Sequence, residues 1–205
     1  ATLSGENPIV QTKDQAGKTL EALCEEMEAR YSHLSVGSIS NIVEYNKQAS
    51  TPQECWPYIV TIIDEYADLT IPAGREEESR YISREITESI IRLAQKGGAV
   101  GIHIILATQR PSKKVITDSI KATFPTRIAV RTMTRTDSRV ILDSPGAENL
   151  AGGGDMIFKI DTETERIQGS YISPEEINRL TTYVESQSCK KTPYTLPEPD
   201  SAPKA

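Results

Sequence analysis

Asp64 and Glu65 stand side by side at the end of an apolar, largely β-branched run, Ile59-Val60-Thr61-Ile62-Ile63. Such a run reads as a strand buried on both faces, and open α/β sheets collect their chemistry at the C-terminal ends of their strands. An acid in the first position can hold Mg²⁺ on nucleotide phosphates. A Glu directly after it can orient or deprotonate an attacking water, as in P-loop nucleotide hydrolases. The same pair would serve equally as a solvated strand end or a helix cap. A second apolar run, Ile102 to Ala107, ends in Thr108-Gln109-Arg110-Pro111. Next to the acids, Thr108 and Gln109 could sense a γ-phosphate or position water; the alternative is a strand end satisfying its own backbone. His103 falls inside this run and reads as a core histidine rather than a catalyst.

A decoy precedes both strands. Thr12 to Thr19, TKDQAGKT, ends like the phosphate-binding loop G-x-x-x-x-G-K-[ST]. Thr12 stands where the first glycine belongs, and Asp14 would put a negative charge among phosphates, so the segment reads as a capped helix start.

The elements that must position these residues follow from periodicity. After a short strand predicted at Ile9 and Val10, Asp14 is expected to cap a helix whose stripe runs Leu20, Leu23, Cys24, Met27, Tyr31 and Leu34 and which Gly37 ends. A short helix is predicted from Ile39 to Lys47, with Ile42, Val43 and Tyr45 inward, and a proline-bearing connection from Ser50 to Pro57 leads to the acid-bearing strand. After an exposed acidic loop, PAGREEESR, a helix with Ile82, Ile86, Ile90, Leu93 and Ala94 on one face ends at Gly97-Gly98. Beyond Pro111 come a helix over Val115 to Thr123, a strand over Arg127 to Thr132, a helical turn over Thr136 to Leu142, and the tight turn AGGGDM opening a strand from Met156 to Ile160. Arg166 to Ile172 is expected to pair back in a hairpin around Asp161 to Glu165. A last helix carries Ser173 as cap, Pro174 at its first position and Glu176 in a capping box, with Ile177, Leu180 and Val184 inward. This alternation predicts an α/β fold with a mainly parallel sheet flanked by helices. One domain over 1–187 is expected, followed by a disordered, proline-rich tail or linker over 188–205.

Bulk properties exclude several classes. The 205 residues carry a net charge of -6, so no global basic field advertises nucleic acid, although a ring or channel needs only local Lys and Arg. Cys24, Cys55 and Cys189 lack CxxC spacing, which favours reduced thiols over a zinc site. No apolar run reaches 18 residues and no signal peptide opens the chain, so a cytoplasmic location is expected.

Three blocks together resemble the motor domain of the FtsK/SpoIIIE family of double-stranded DNA translocases: PYIVTIIDEYADL (57–69), GIHIILATQRPSKKVITDSIKATFPTRIAVR (101–131) and DSRVILDSPGAENLAGGGDM (137–156). EEMEARY (25–31) and EYN (44–46) extend the likeness over about 12–185. The resemblance implies a partial RecA-like P-loop ATPase core, with the C-terminal hairpin attached. It implies Asp64 as the Walker B acid holding Mg²⁺ on the nucleotide, Glu65 as the water-activating base, Gln109 as the phosphate sensor with Thr108 beside the nucleotide, and Arg110, Lys121, Arg135 and Arg139 as DNA-facing cations. ATP and Mg²⁺ are the implied cofactors, duplex DNA the partner, and a homohexameric ring the assembly, acting in chromosome segregation and cell division or in conjugative transfer. A membrane anchor, where family members have one, lies outside this region.

Two departures qualify the resemblance. The family's Walker A loop lies upstream of the helix matching residues 14–34, so this chain is expected to be the Walker B half, to hold nucleotide weakly alone and to stay monomeric as an isolated fragment. Where the family usually reads Gln-Lys-Ala-Arg, this chain has Gln95-Lys96-Gly97-Gly98. If that Arg acts on the neighbouring subunit's nucleotide, an effect worth about 10³ to 10⁵ in rate in other enzymes, either another residue such as Lys96 or Arg92 replaces it or the protein hydrolyses ATP poorly even when complete. The alternatives are a related ring ATPase of type VII protein secretion and a non-hydrolysing assembly or regulatory module.

Overall fold

The computed structural model describes residues 9–72, 74, 77–187 and 194–197. The chain divides into two compact units, residues 1–110 with 193–205, and residues 111–192.

In the first unit α1 (Lys13–Gly37) is capped by Thr12, not Asp14: Thr12 is extended and its hydroxyl accepts the Gln15 amide. The decoy GKT therefore lies inside a helix. Ser38, at φ 51°, closes the far end by returning its amide to the carbonyls of Leu34 and Ser35. The predicted stripe is buried through Leu20, Leu23, Cys24, Met27 and Leu34, whereas Ile9 and Val10 are exposed and form no strand. Next, α2 (Ile42–Gln48) begins at the Asn41 cap and buries Ile42, while Val43 is exposed. Tyr45 stacks on Trp56 with ring centroids 3.9 Å apart.

The two strands that lead to the predicted site residues, β1 (Ile59–Ile63) and β2 (Ile102–Leu106), pair in parallel with Ile59 opposite Ile102 and Ile63 opposite Leu106. Between them run α3 (Tyr66–Thr70), α4 (Glu77–Lys96) and a 3-10 turn, Gly97–Val100. A side chain at Gly97 would meet the Ile102 carbonyl oxygen at 2.6 Å, so this turn approaches β2 too closely for anything but glycine. α4 packs against α1 and β2 through Ile86, Ile90 and Leu93.

Burial on both faces of β1 is not what forms. Ile59 and Ile63 are buried, but Val60 is 56% and Ile62 69% exposed. Register places His103 and Ile105 beside them, and both are exposed. His103 is thus no core residue; it lies on this bare face and stacks on Tyr58 at 6.0 Å. The sheet has two strands, and among the described residues helices cover one of its faces only. Alternation along a strand then shows through even though the run is continuously apolar.

The second unit contains α5 (Asp118–Thr123), β3 (Thr126–Val130), α6 (Arg135–Leu142), β4 (Asp155–Ile160), β5 (Glu163–Gln168) and α7 (Pro174–Ser186). Its sheet is antiparallel in the order β3-β4-β5, so parallel pairing belongs to the first unit. Ala129, Leu142, Ala147 and Leu150 form its core, with Ile141 and Ile157 against them. α5 starts at the Thr117 cap, later than periodicity predicts, and Val115 is buried outside it. The hairpin is also tighter than expected: only Asp161, at φ 51°, and Thr162 separate β4 from β5. The glycine triplet is a turn. Gly152, Gly153 and Gly154 all have positive φ, and a Cβ at Gly154 would sit 2.5 Å from the Gly169 carbonyl oxygen. The α7 capping box forms as predicted, yet Ile177, Leu180 and Val184 are 50%, 62% and 58% exposed. They do not point into a core, because no described element packs over that face.

At the base of the hairpin, Asp155 accepts two hydrogen bonds from Arg166, at 2.9 and 2.7 Å, and one from the Ala151 amide at 2.7 Å. The Arg166 fork, and then the amide, outweigh burial and lower the Asp155 carboxyl to about 2. Depressed in the folded state, it contributes stability that is complete above the ordinary aspartate value of 3.8 and is lost as pH falls towards 2. In an acid titration followed by tryptophan-independent probes such as hairpin amide signals, Asp155→Asn is expected to flatten that loss between pH 4 and 2.

Of the predicted tail, 194–197 is the described part, and it is packed: Leu196 is buried and Tyr194 hydrogen-bonds Glu26 of α1. The rest of 188–205 lies outside the described residues, as do Ala73, Arg75 and Glu76 of the acidic loop.

Candidate hydrolytic site and basic loops

Parallel pairing brings the ends of β1 and β2 together and with them both predicted clusters. The Ala107 amide donates to the Ile63 carbonyl and the Tyr66 amide to the Ala107 carbonyl, each at 2.8 Å, so the two strand ends are stitched one residue before their polar tips. Asp64 is exposed and its carboxylate makes no ion pair or hydrogen bond among the described residues. Glu65 turns inward. It is the N-cap of α3, with Oε1 accepting the Ala67 amide at 3.1 Å and the Thr108 hydroxyl at 2.5 Å, and Oε2 accepting the Gln109 amide at 2.9 Å. Partial burial pushes the Glu65 carboxyl up. The Thr108 hydroxyl, the Gln109 and Ala67 amides and the Arg110 charge together outweigh it and hold Glu65 below the usual glutamate range.

Gln109 contributes its backbone here; its side chain is exposed at the strand end. Arg110 extends to Asp68 on α3, with Nη2 2.5 Å from Oδ1, and both side chains are more than half exposed. Asp68 was not singled out from the sequence. Its signal was its place three residues after Glu65, an acid in the first turn of the helix that Glu65 caps.

The residues present fit a divalent cation at one edge. Asp64 offers one free carboxylate, and Mg²⁺ characteristically takes one or two carboxylates and fills its remaining positions with phosphate oxygens and water. No group of three or more His, Cys, Asp or Glu capable of holding a metal occurs among the described residues. Phosphates find no cradle at Gly17 to Thr19, whose amides lie within α1, and Lys18 pairs with Asp14 at 2.9 Å.

The remaining predicted cations lie in the second unit and differ in availability. Lys121 is 20% exposed and bonds Asp143 at 2.6 Å; Arg127 at 2.8 Å and Lys159 at 3.3 Å converge on the same carboxylate. These three cations, Lys121 foremost, hold the Asp143 carboxyl far below its ordinary value against a smaller push from burial. Arg135 is exposed and loosely paired with Glu148 at 3.6 Å. Arg139 is exposed and has no ion-pair partner among the described residues. The two acids that could have neutralised it are committed elsewhere, Asp137 to the Thr134 capping box and Asp143 to the three cations. Of the two candidates for a trans-acting cation, Arg92 is paired with Glu28, while Lys96 is exposed at the end of α4 and has no ion-pair partner among the described residues. A side chain at Gly98 would meet nothing within 4 Å.

With this geometry in view, the FtsK/SpoIIIE family profile matches residues 3–113, a stretch that contains both strand ends, the acid pair and the Thr-Gln-Arg segment. The chain belongs to the FtsK/SpoIIIE family. It is 44% identical over 199 residues to the DNA translocase FtsK of Chlorobaculum tepidum, which covers 96% of this chain and 23% of that protein. It is 42% identical over 190 residues to the DNA translocase FtsK of Streptococcus pneumoniae, covering 88% and 24%. The chain thus spans about a quarter of the length of these relatives. Among solved structures, the conjugation coupling protein TcpA of pCW3, in a monomer form with ATPγS, superposes with a TM-score of 0.76 at 29% identity, over 85% of this chain and 50% of that one. The cytoplasmic domain of the type VII secretion ATPase EccC of Thermomonospora curvata gives 0.65 at 26% identity, over 89% and 20%. The fold is accordingly that of a RecA-like P-loop ATPase core, seen in part.

Proposed function

We propose that this family member supplies the water-activating half of an ATP-driven double-stranded DNA translocase, working as a cytoplasmic homohexameric ring in chromosome segregation or conjugative transfer. The observation that carries the reading is the junction at the strand ends: a free carboxylate, Asp64, next to a carboxylate held by the neighbouring strand, Glu65. Asp64 would hold Mg²⁺, which screens phosphate charge when bound. Glu65 would take the proton of the attacking water, and Gln109 would read the phosphate state from the end of β2. None of the residues described here cradles phosphates, so this chain alone is expected to hold ATP weakly and to hydrolyse it little. Lys96 is the stronger replacement for the trans-acting cation, because Arg92 would first have to leave Glu28.

The relatives carrying the name DNA translocase favour DNA over a secreted polypeptide, and the likeness to EccC keeps the latter as the competing reading. Cations facing the sugar-phosphate backbone bind any sequence and make affinity fall with salt. The complete motor is therefore expected to bind an unrelated-sequence duplex in fluorescence anisotropy, with log affinity falling linearly with log salt. Arg139→Ala should shallow that slope by about 1. Salt-insensitive binding, or none, would favour the secretion reading.

A further inference from the structure

Residues 194–197 follow α7 in sequence yet belong to the first compact unit, and Thr195 sits in an isolated β-bridge, so the stretch runs extended. Two side chains anchor it. Leu196 is 3% exposed and lines a cavity with Leu20 and Leu23 of α1 and Ile59 and Ile63 of β1; Asp64 and Glu65 border the same cavity. Two residues earlier, the Tyr194 hydroxyl donates to Glu26 Oε1, and the Tyr194 ring centroid lies 5.6 Å from the Arg30 guanidinium carbon.

Both anchors rest on structure that is complete without them. Glu26 Oε1 also accepts Arg30 Nε at 2.6 Å, and Arg30 Nη1 donates to the carbonyls of Pro57 and Val100. None of these bonds passes through residues 194–197, so the joint from α1 to the chain leading into β1 and β2 survives their departure. Trp56 keeps its place against the guanidinium as well. The forces on the stretch itself are close to balance. Burial of one leucine and one hydroxyl bond to a carboxylate favour the closed form, while ordering four backbone units and their side chains opposes it by a similar amount. A segment held so lightly against a core held by many contacts opens locally, well before that core unfolds.

We infer that residues 194–197 are a strap that opens and closes as one unit over the cavity beside β1 while the first unit stays folded. Closed, Leu196 supplies one wall of the cavity and covers Leu20 and Leu23. Open, that wall is gone, α1 presents those two leucines to solvent, and the Glu26–Arg30 pair loses its cover from Tyr194. The strap thereby sets solvent access to the flank of the strand that leads to the candidate site. It stands apart from the translocase reading and requires neither ATP nor DNA.

Hydrogen exchange of the 205-residue chain, resolved by segment, tests the strap. With an open state populated at about 0.1–10%, residues 194–196 exchange about 10- to 10³-fold more slowly than in a free peptide of the same sequence, and faster than α1 around Leu23 and Met27. Low urea leaves the strap's exchange unchanged while accelerating that of α1, because local opening exposes little surface. Tyr194→Phe speeds exchange at 194–196 several-fold. Leu196→Asp brings it to the free-peptide rate with α1 still protected. Three results overturn the proposal. Free-peptide exchange in wild type means that nothing closes over the cavity. Residues 194–196 exchanging in step with α1, at the same rate and with the same response to urea, make them part of the core. Loss of α1 protection in Leu196→Asp does the same, and Tyr194→Phe, which keeps the ring and removes only the hydroxyl, reads the strap independently of that variant.

Discussion

Glu65→Gln in the complete motor is expected to lower ATP hydrolysis by about 10²- to 10⁴-fold, the usual reach of a positioned general base, while thermal stability and duplex binding stay at wild-type levels. The substitution separates geometry from basicity. A glutamine carbonyl oxygen in the Oε1 position can still accept the Thr108 hydroxyl and the Ala67 amide, so α3 keeps its cap, and the exposed Gln109 amide turns to water. The lost property is the capacity to take a proton. Phosphate-release kinetics at saturating ATP and duplex measure the effect directly. Hydrolysis at the wild-type rate would remove Glu65 from the chemistry and leave it as the helix cap that the sequence also allowed.

Arg30→Ala should have the largest effect on stability, on the order of 3–5 kcal/mol, as for breaking one side of a buried ion pair. Thermal unfolding of the 205-residue chain should show it as a drop on the order of 10 °C in the transition of the first unit. Arg30 is 2% exposed, the largest of the fully buried side chains. Its Nε bonds Glu26 at 2.6 Å, and its Nη1 bonds two carbonyls, Pro57 at 3.0 Å and Val100 at 2.8 Å. One guanidinium thereby joins α1 to the residues that lead into β1 and β2. Its Nη2 has no hydrogen-bond partner among the described residues, and the group lies over the Trp56 and Tyr194 rings, 5.4 and 5.6 Å from their centroids. Truncation would strand the Glu26 carboxylate and two carbonyls in a buried position. The double substitution Arg30→Met with Glu26→Gln should recover part of the loss, because it leaves no uncompensated charge. A single variant as stable as wild type would show that the network is dispensable.

The candidate site residues were legible because they sit at strand ends, where polar side chains interrupt apolar runs. Asp64, Glu65, Thr108 and Gln109 were identifiable on that ground, and the structure brings all four to one junction. Helices announced themselves by period and caps, as in α7, where Ser173, Pro174 and Glu176 form the predicted box. Burial was less legible. Val60, Ile62 and His103 lie on a bare sheet face, and Ile177, Leu180 and Val184 on a bare helix face, because apolar period reports which side of an element seeks a partner and not whether the described chain supplies one. Arg30 drew no notice within EEMEARY, since a charged residue on a helix is ordinarily solvated; only the two carbonyls and two rings that converge on it make it a core residue.

Asp64 and Glu65 began as two adjacent acids after an apolar strand. Local sequence determined that they would stand at a strand end, since strand propensity and the following α3 are both short-range matters. Which oxygen each presents, and to what, was decided only by tertiary structure. Two of the Glu65 partners, Thr108 and Gln109, lie 43 and 44 residues away just beyond β2, and the pairing that brings them within hydrogen-bonding distance depends on packing of α1 and α4 that no short window of sequence encodes. Likewise the four sequence-predicted DNA-facing cations and the two candidate substitutes for the trans-acting Arg were equal on paper. The structure sorted them by where the acids went: Lys121 to Asp143, Arg110 to Asp68, Arg92 to Glu28, with Arg139 and Lys96 left exposed and unpaired among the described residues.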